Sequence, residues 1–223
     1  MILLSNLTRL RARAAAAKRV LDVGGWRHPF NLATHVIDLG DYASRNAREA
    51  LDPEDPERFS ADSWVVQDVC RTPWPFPDKF FDFVICSHLL EDVRDPLAVC
   101  RELNRVAAAG YIETPTRTRE IFAKARLFPL RALFGAVPEV GFYHHRWFVE
   151  ADGTHLRFTA KTTALLERRD RYITRHDIGR KLTEIESGLG MFWDGAFTVE
   201  ETFADPNTDL AAFRRGALAA LKA

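Results

Sequence analysis

The chain has 223 residues, 47% hydrophobic and 28% charged, which suits one continuous core with an inserted subdomain and leaves too little for two independent domains. Lys+Arg and Asp+Glu each total 31, so no basic excess draws the chain to nucleic acid or an anionic membrane, and a small acceptor molecule is the expected partner. Cys70, Cys86 and Cys100 form no Cys-x-x-Cys pair, which disfavours a disulfide framework or zinc knuckle and favours free thiols in a reducing cytoplasm.

Arg9, Arg11, Arg13, Lys18 and Arg19 precede any acid, a pattern shared with transit peptides. The first strand already begins at Arg19, however, so the expectation is a leading amphipathic helix with Leu3, Leu4, Leu7 and Leu10 on one face. Short apolar runs then alternate with polar or helical stretches. Val20–Val23, His35–Asp38, Trp64–Val66, Phe81–Cys86 and Ala109–Glu113 read as five strands of a largely parallel sheet covered by helices on both faces.

The stretch from Leu51 to Ala61, with Pro53 and Pro56, reads as an exposed loop. Asp95-Pro96 opens a helix, the acid capping free amides and the proline suiting the first turn, with Leu97, Cys100, Leu103, Asn104 and Val106 near one face. Beyond Pro115 the alternation breaks: a helix is expected from about Arg119 to Phe134, then strands around Phe142–Val149 and His155–Phe158. We expect residues 116–160 to form a lid or acceptor-binding insertion in a single domain spanning 1–223. Asp194-Gly195 between two apolar runs predicts a tight hairpin, and a helix from about Thr208 to Leu221 follows. No apolar run reaches the roughly 18–20 residues of a membrane span, and a cytoplasmic chain of open oligomeric state is expected.

In open α/β sheets, ligands sit beyond the carboxyl ends of strands where strand order reverses, so those ends carry the candidate chemistry. After the first strand, Asp22, Gly24, Gly25 and Trp26 form a turn whose glycines let backbone approach a ligand. Asp38, with Leu39 beside it, offers a carboxylate to ribose hydroxyls, although an ordinary loop acid reads the same way. Asp68 and Val69 follow the third strand; the acid suits an exocyclic amine and equally suits capping a turn. Ser87 and His88 leave the fourth.

The segment from Trp74-Pro75-Phe76-Pro77-Asp78 through Phe81-Asp82-Phe83-Val84 to Leu89-Leu90-Glu91-Asp92-Val93, with Asp95-Pro96 and Glu102-Leu103-Asn104-Arg105-Val106, resembles class I S-adenosylmethionine-dependent methyltransferases. The resemblance runs from Arg19 to about Pro115. It implies a Rossmann-like, doubly wound, mostly parallel seven-stranded sheet and S-adenosylmethionine as cofactor. It further implies that Gly24 and Gly25 lie under the methionine part, that Asp38 holds the ribose, that Asp68 and Val69 frame the adenine and that Ser87 lies near the sulfonium. Trp26 and His28 stand where the family commonly has further glycines, so a crowded turn is expected, and Asp92 replaces the commoner His after Glu91. A nicotinamide dehydrogenase is disfavoured because no Gly-x-Gly-x-x-Gly follows the first strand.

Transfer to oxygen or nitrogen of a small metabolite needs alignment and often a base. His88, His144 and His145 are the catalytic candidates, the last two on opposite faces of an expected strand. His88, Glu91, Asp92, His144 and His145 have the donor types of a divalent-metal site, but no bound metal is expected. The alternative function is a methyltransferase-like binding or assembly protein whose altered glycine turn no longer supports turnover.

Overall fold

The computed structural model describes residues 2–45, 55–123, 139–161, 166, 168–203 and 209–223. Helix α1 (Leu4–Ala16) leads into β1 (Val20–Val23), β2 (His35–Asp38), β3 (Trp64–Val66) and β4 (Phe83–Ser87). After α2 (Pro96–Val106) come β5 (Ala109–Pro115), the short α3 (Arg117–Glu120), and the pair β6 (Trp147–Asp152) and β7 (His155–Ala160). Two short helices, α4 (Arg175–Ile178) and α5 (Glu184–Ser187), precede β8 (Gly188–Asp194), β9 (Thr198–Thr202) and α6 (Asp209–Lys222).

The central sheet has the order β3-β2-β1-β4-β5-β8, parallel except for β8, which runs antiparallel to β5. This is the expected mixed α/β class with helices on both faces. The strand count differs: among the described residues the main sheet holds six strands, not seven. The strand that follows β8 leaves for a second sheet, β6-β7-β9, where it lies parallel to β7 with His155 opposite Thr198.

The expected hairpin at Asp194-Gly195 is therefore absent, although the turn is real, with Gly195 at φ 77° and its N–H donated to Ala108 O. Phe197 decides the outcome. It packs on Trp193, and the Asn104 side chain both accepts from Phe197 N and donates to Phe197 O, which draws the chain across α2 and away from β8.

Both sheet faces are covered by apolar side chains. On one, Leu10 and Ala14 of α1 meet Val20, Val36, Phe83, Ile85 and Tyr111. On the other, Val99, Cys100, Leu103 and Val106 of α2 meet Leu21, Val23, Val84 and Ile112, and Val149, Leu156 and Phe158 of the second sheet join the same cluster. The α1 stripe is shifted from expectation: Leu4 is exposed, and the inward series from Leu7 continues to Leu10 and Ala14 because α1 starts at Leu4 with Leu3 at its cap. In α2 the expectation holds, with Asp95 Oδ1 accepting from Ala98 N at 2.9 Å and Pro96 in the first turn. Cys86 and Cys100 are buried free thiols and Cys70 is half-buried and free.

Past β5, among the described residues, the expected helix from Arg119 corresponds to the end of α3. Residues 121–123 leave it to form bridges with Ile173 and Val140, and Lys124 to Phe134 lie outside the described residues. Residues 51–54 and Thr208, parts of the expected loop and last helix, also lie outside them. The expected strand at Phe142 begins only at Trp147, since Arg146 N and Trp147 N both donate to Glu91 O and pin residues 142–146 as a turn against the end of β4. No helix among the described residues is long and apolar enough to cross a membrane.

Candidate functional site

Strand order reverses between β1 and β4, and the cleft beyond their carboxyl ends is a cavity of about 650 Å³. All nine residues singled out for a cofactor line it: Asp22, Gly24, Gly25 and Trp26 after β1, Asp38 and Leu39 after β2, Asp68 and Val69 after β3, and Ser87 at the end of β4. His88 and Asp92 line it as well. Ile2, Phe30, Ile85, Leu89 and Val93 supply apolar wall that carried no sequence signal for a site.

The turn after β1 explains its own residues. Gly24 adopts φ 71°, the left-handed region open to glycine, and donates its N–H to Ile37 O at 2.9 Å. A Cβ on Gly25 would lie 2.6 Å from Asp22 Oδ2 and 2.9 Å from Pro29 Cα, so nothing larger fits. Asp22 Oδ2 accepts from Phe30 N at 2.7 Å; burial raises the carboxyl to about 7 despite that bond. This places an acid that titrates near neutrality inside the cavity.

Trp26 departs from the expected crowding. Its backbone keeps the left-handed conformation that glycine would favour, φ 47°, but its indole is 65% exposed and forms a rim to the cleft with Arg27 over it. The Trp26 backbone N–H donates to Asp38 Oδ2 at 2.8 Å, while Asp38 Oδ1 accepts from Gly40 N at 2.7 Å. Asp38 thus braces the two turns, and each oxygen keeps a second lone pair for a ligand hydroxyl. Asp68 accepts from Cys70 N and from Arg94, whose hydrogen bond lowers its pKa.

His88 stands at φ 53°, a backbone region that His tolerates better than most residues. Its Nε2 lies 3.2 Å from Glu113 Oε1 and its Nδ1 3.3 Å from Glu91 Oε1, both carboxylates 1% exposed. Burial by itself would lower the imidazole pKa, but the hydrogen bonds to Glu113 and Glu91 prevail and raise it to about 9. His88 is therefore an imidazolium near neutral pH and not a resting proton acceptor. Glu113 lies two residues before the end of β5 and closed the strand expected from sequence, so the strand-end rule that found Ser87 could have found it too. Its Oε2 accepts from Leu3 N at 2.9 Å and from the Tyr111 hydroxyl, tying the chain's first residues to the site.

A second cavity of about 590 Å³ adjoins the first; Ile2 and His88 line both. Glu113, Arg119, Phe142 and Thr183 are among its walls, with the Arg119 guanidinium 4.8 Å from the Phe142 ring centroid. His144 and His145 line neither cavity. Their rings meet edge to face at 4.5 Å beside Asp92, with His144 exposed and His145 buried.

Residues 26–112 match the sequence profile of a family described as a methyltransferase domain. Over this stretch the chain is similar to methyltransferase domains. The match begins just past Gly25 and ends inside β5, so it covers fewer than half of the residues and none of the second sheet. No curated protein matches the chain. Among solved structures it is similar to a SAM dependent methyltransferase from Archaeoglobus fulgidus, 17% identical over 59% of this chain and 57% of that one, with a TM-score of 0.35. It is similar to an S-adenosylmethionine dependent methyltransferase from Mesorhizobium loti at 17% identity, 54% and 58% coverage and a TM-score of 0.36. Similarity to the MccD protein spans 86% of this chain and 96% of that one at 14% identity, with a TM-score of 0.42. The chain spans 44% of the length of the [4+2]-cyclase SpnF and 57% of the Archaeoglobus protein.

Proposed function

We propose that the protein binds S-adenosylmethionine in the cavity beyond β1, β2 and β4 and transfers its sulfonium methyl to an oxygen or nitrogen of a small molecule in the adjoining cavity. The observation that carries this reading is the contiguity of the two cavities at His88 and Ile2, with the glycine turn in the first. In-line alignment of donor and acceptor supplies much of the barrier reduction for such a transfer. The methionine moiety rests over Gly24 and Gly25, Asp38 meets the ribose, and Asp68 and Val69 flank the adenine. Arg119 and Phe142, from the segment 116–160 expected to bind the acceptor, form walls of the second cavity. His88 holds the junction as a charged strut between Glu91 and Glu113.

The test is titration calorimetry with S-adenosylmethionine, followed by single-turnover transfer from methyl-labelled cofactor to a panel of hydroxylated and amine metabolites. Saturable binding and a labelled product are expected. Absence of cofactor binding overturns the reading; binding without product from any acceptor leaves a binding protein instead of an enzyme. Trp26→Gly locates the cofactor: with the indole as an exposed rim that covers the ligand, its loss weakens binding roughly 5- to 50-fold, about 1–2.3 kcal/mol. Tighter binding would mean that the ring obstructs the cleft.

A further inference from the structure

His145 is held as a metal-ligating histidine is held. Its ring is 6% exposed, and Nδ1 lies 2.6 Å from Glu120 Oε1, a carboxylate that Lys161 neutralises from its other oxygen. Glu120 is 1% and Lys161 0% exposed, so this support is fully internal. Because an ionised carboxylate only accepts, Nδ1 carries the hydrogen, which leaves Nε2 as the ring atom that can ligate a metal. Phe142 stacks on the ring at 4.5 Å and fixes its plane. Nε2 then faces Asp92 Oδ1 at 3.7 Å, beyond hydrogen-bond length, and that oxygen is buried and accepts no hydrogen bond. His144 Nε2 approaches the same oxygen at 4.0 Å.

We propose that Asp92, His144 and His145 form a binding site for a divalent first-row transition ion, with Glu120 and Lys161 as positioning residues. The three donor atoms lie within 4.8 Å of one another. Bonds of about 2.0–2.2 Å to nitrogen and oxygen require donors roughly 3.4 Å apart in a tetrahedral set; His145 Nε2 and His144 Nε2, 3.7 and 4.0 Å from Asp92 Oδ1, need to approach it by only a few tenths of an ångström, and the widest separation in the set, at most 4.8 Å, by up to about 1.4 Å. Two imidazoles and one carboxylate select manganese through zinc in that series over magnesium or calcium, which take oxygen donors. A carboxylate on the remote nitrogen of a ligating histidine is the usual outer support of such sites. Three protein donors leave coordination positions for water or a substrate oxygen, and Asp92 also lines the first cavity. The sequence could not pair these groups, since residues 92 and 144–145 are brought together by long-range bonds, from Arg146 N and Trp147 N to Glu91 O and from Trp147 Nε1 to Val93 O.

The inference does not depend on methyl transfer, and its test needs no cofactor. Chelator-treated full-length protein is titrated with Co²⁺, followed by the visible absorption of the ion, and with Zn²⁺ by calorimetry. One saturable site per chain is expected, unaffected by millimolar Mg²⁺. Asp92→Asn, which keeps size, and His145→Ala should each weaken it at least 30-fold, and Glu120→Gln 10- to 100-fold in variants whose circular dichroism matches the parent. His155→Ala, which removes the histidine beside Thr198 and Glu200 on the second sheet, should leave it unchanged. No saturable site, or affinity unchanged in Asp92→Asn and His145→Ala, overturns the proposal.

Discussion

At residue scale, His88 shows how geometry sets chemistry. An isolated histidine near neutrality suggests a base, but two buried carboxylates on its two ring nitrogens convert it into a cation. Its pKa rises from 6.5 to about 9 in the folded chain, so the folded state binds the proton more tightly than the unfolded one. The stability this group contributes is complete below about pH 6.5 and is lost as pH rises through about 9. Imidazole NMR should give a His88 midpoint near 9, with unfolding free energy falling across the same window; a midpoint below 7 would show that the carboxylates do not hold the ring charged.

At the scale of elements, the phrases that carried the family resemblance turn out to be joints. Glu102 and Arg105 sit one turn apart on α2. Glu102 Oε2 accepts from Trp74 N at 2.6 Å, and Arg105 donates to Trp74 O, Phe76 O, Asp78 and Glu102. Burial is the largest single influence and would raise the Glu102 carboxyl, but the hydrogen bonds from Arg105 and Trp74 N and the Arg105 charge together hold its pKa low. This clamp fixes the Trp74–Asp78 loop over α2, and Trp74 Nε1 in turn donates to Val69 O at the cavity wall. Arg105→Ala leaves Glu102 with a lost charged partner and should cost about 2–3 kcal/mol of unfolding free energy in urea titrations. Cofactor affinity should fall with it, because Val69 loses its support; full affinity at reduced stability would separate the clamp from the site.

For the whole molecule, the cavity is bounded by four strand ends and by Ile2 near the start of the chain, so a bound ligand couples to the global fold. A ligand that binds only the folded state at 100 times its Kd adds about 2.7 kcal/mol. For a chain of this size, that corresponds to a rise in Tm of roughly 5–10 °C, readable by scanning calorimetry with S-adenosylmethionine. An unchanged Tm at saturating cofactor would contradict occupation of this cleft. The second sheet shares its core with α2 and the central sheet, so Phe158 and Val149 stabilise the same unit that holds the site.

The residues up to β5 announced themselves because their information is local. Strand periodicity, the Asp95-Pro96 cap and the glycines after β1 act over a few neighbours, and strand ends mark a ligand cleft in any parallel α/β sheet. The nine cleft residues were legible for that reason. Tertiary structure alone decided what depends on distant partners: the charge of His88 needs Glu113, the path of β9 needs Asn104 and Trp193, and the outward turn of Trp26 needs Asp38. It also brought Asp92 to His145, because burial and backbone pairing, not spacing along the chain, determine which side chains share one carboxylate oxygen.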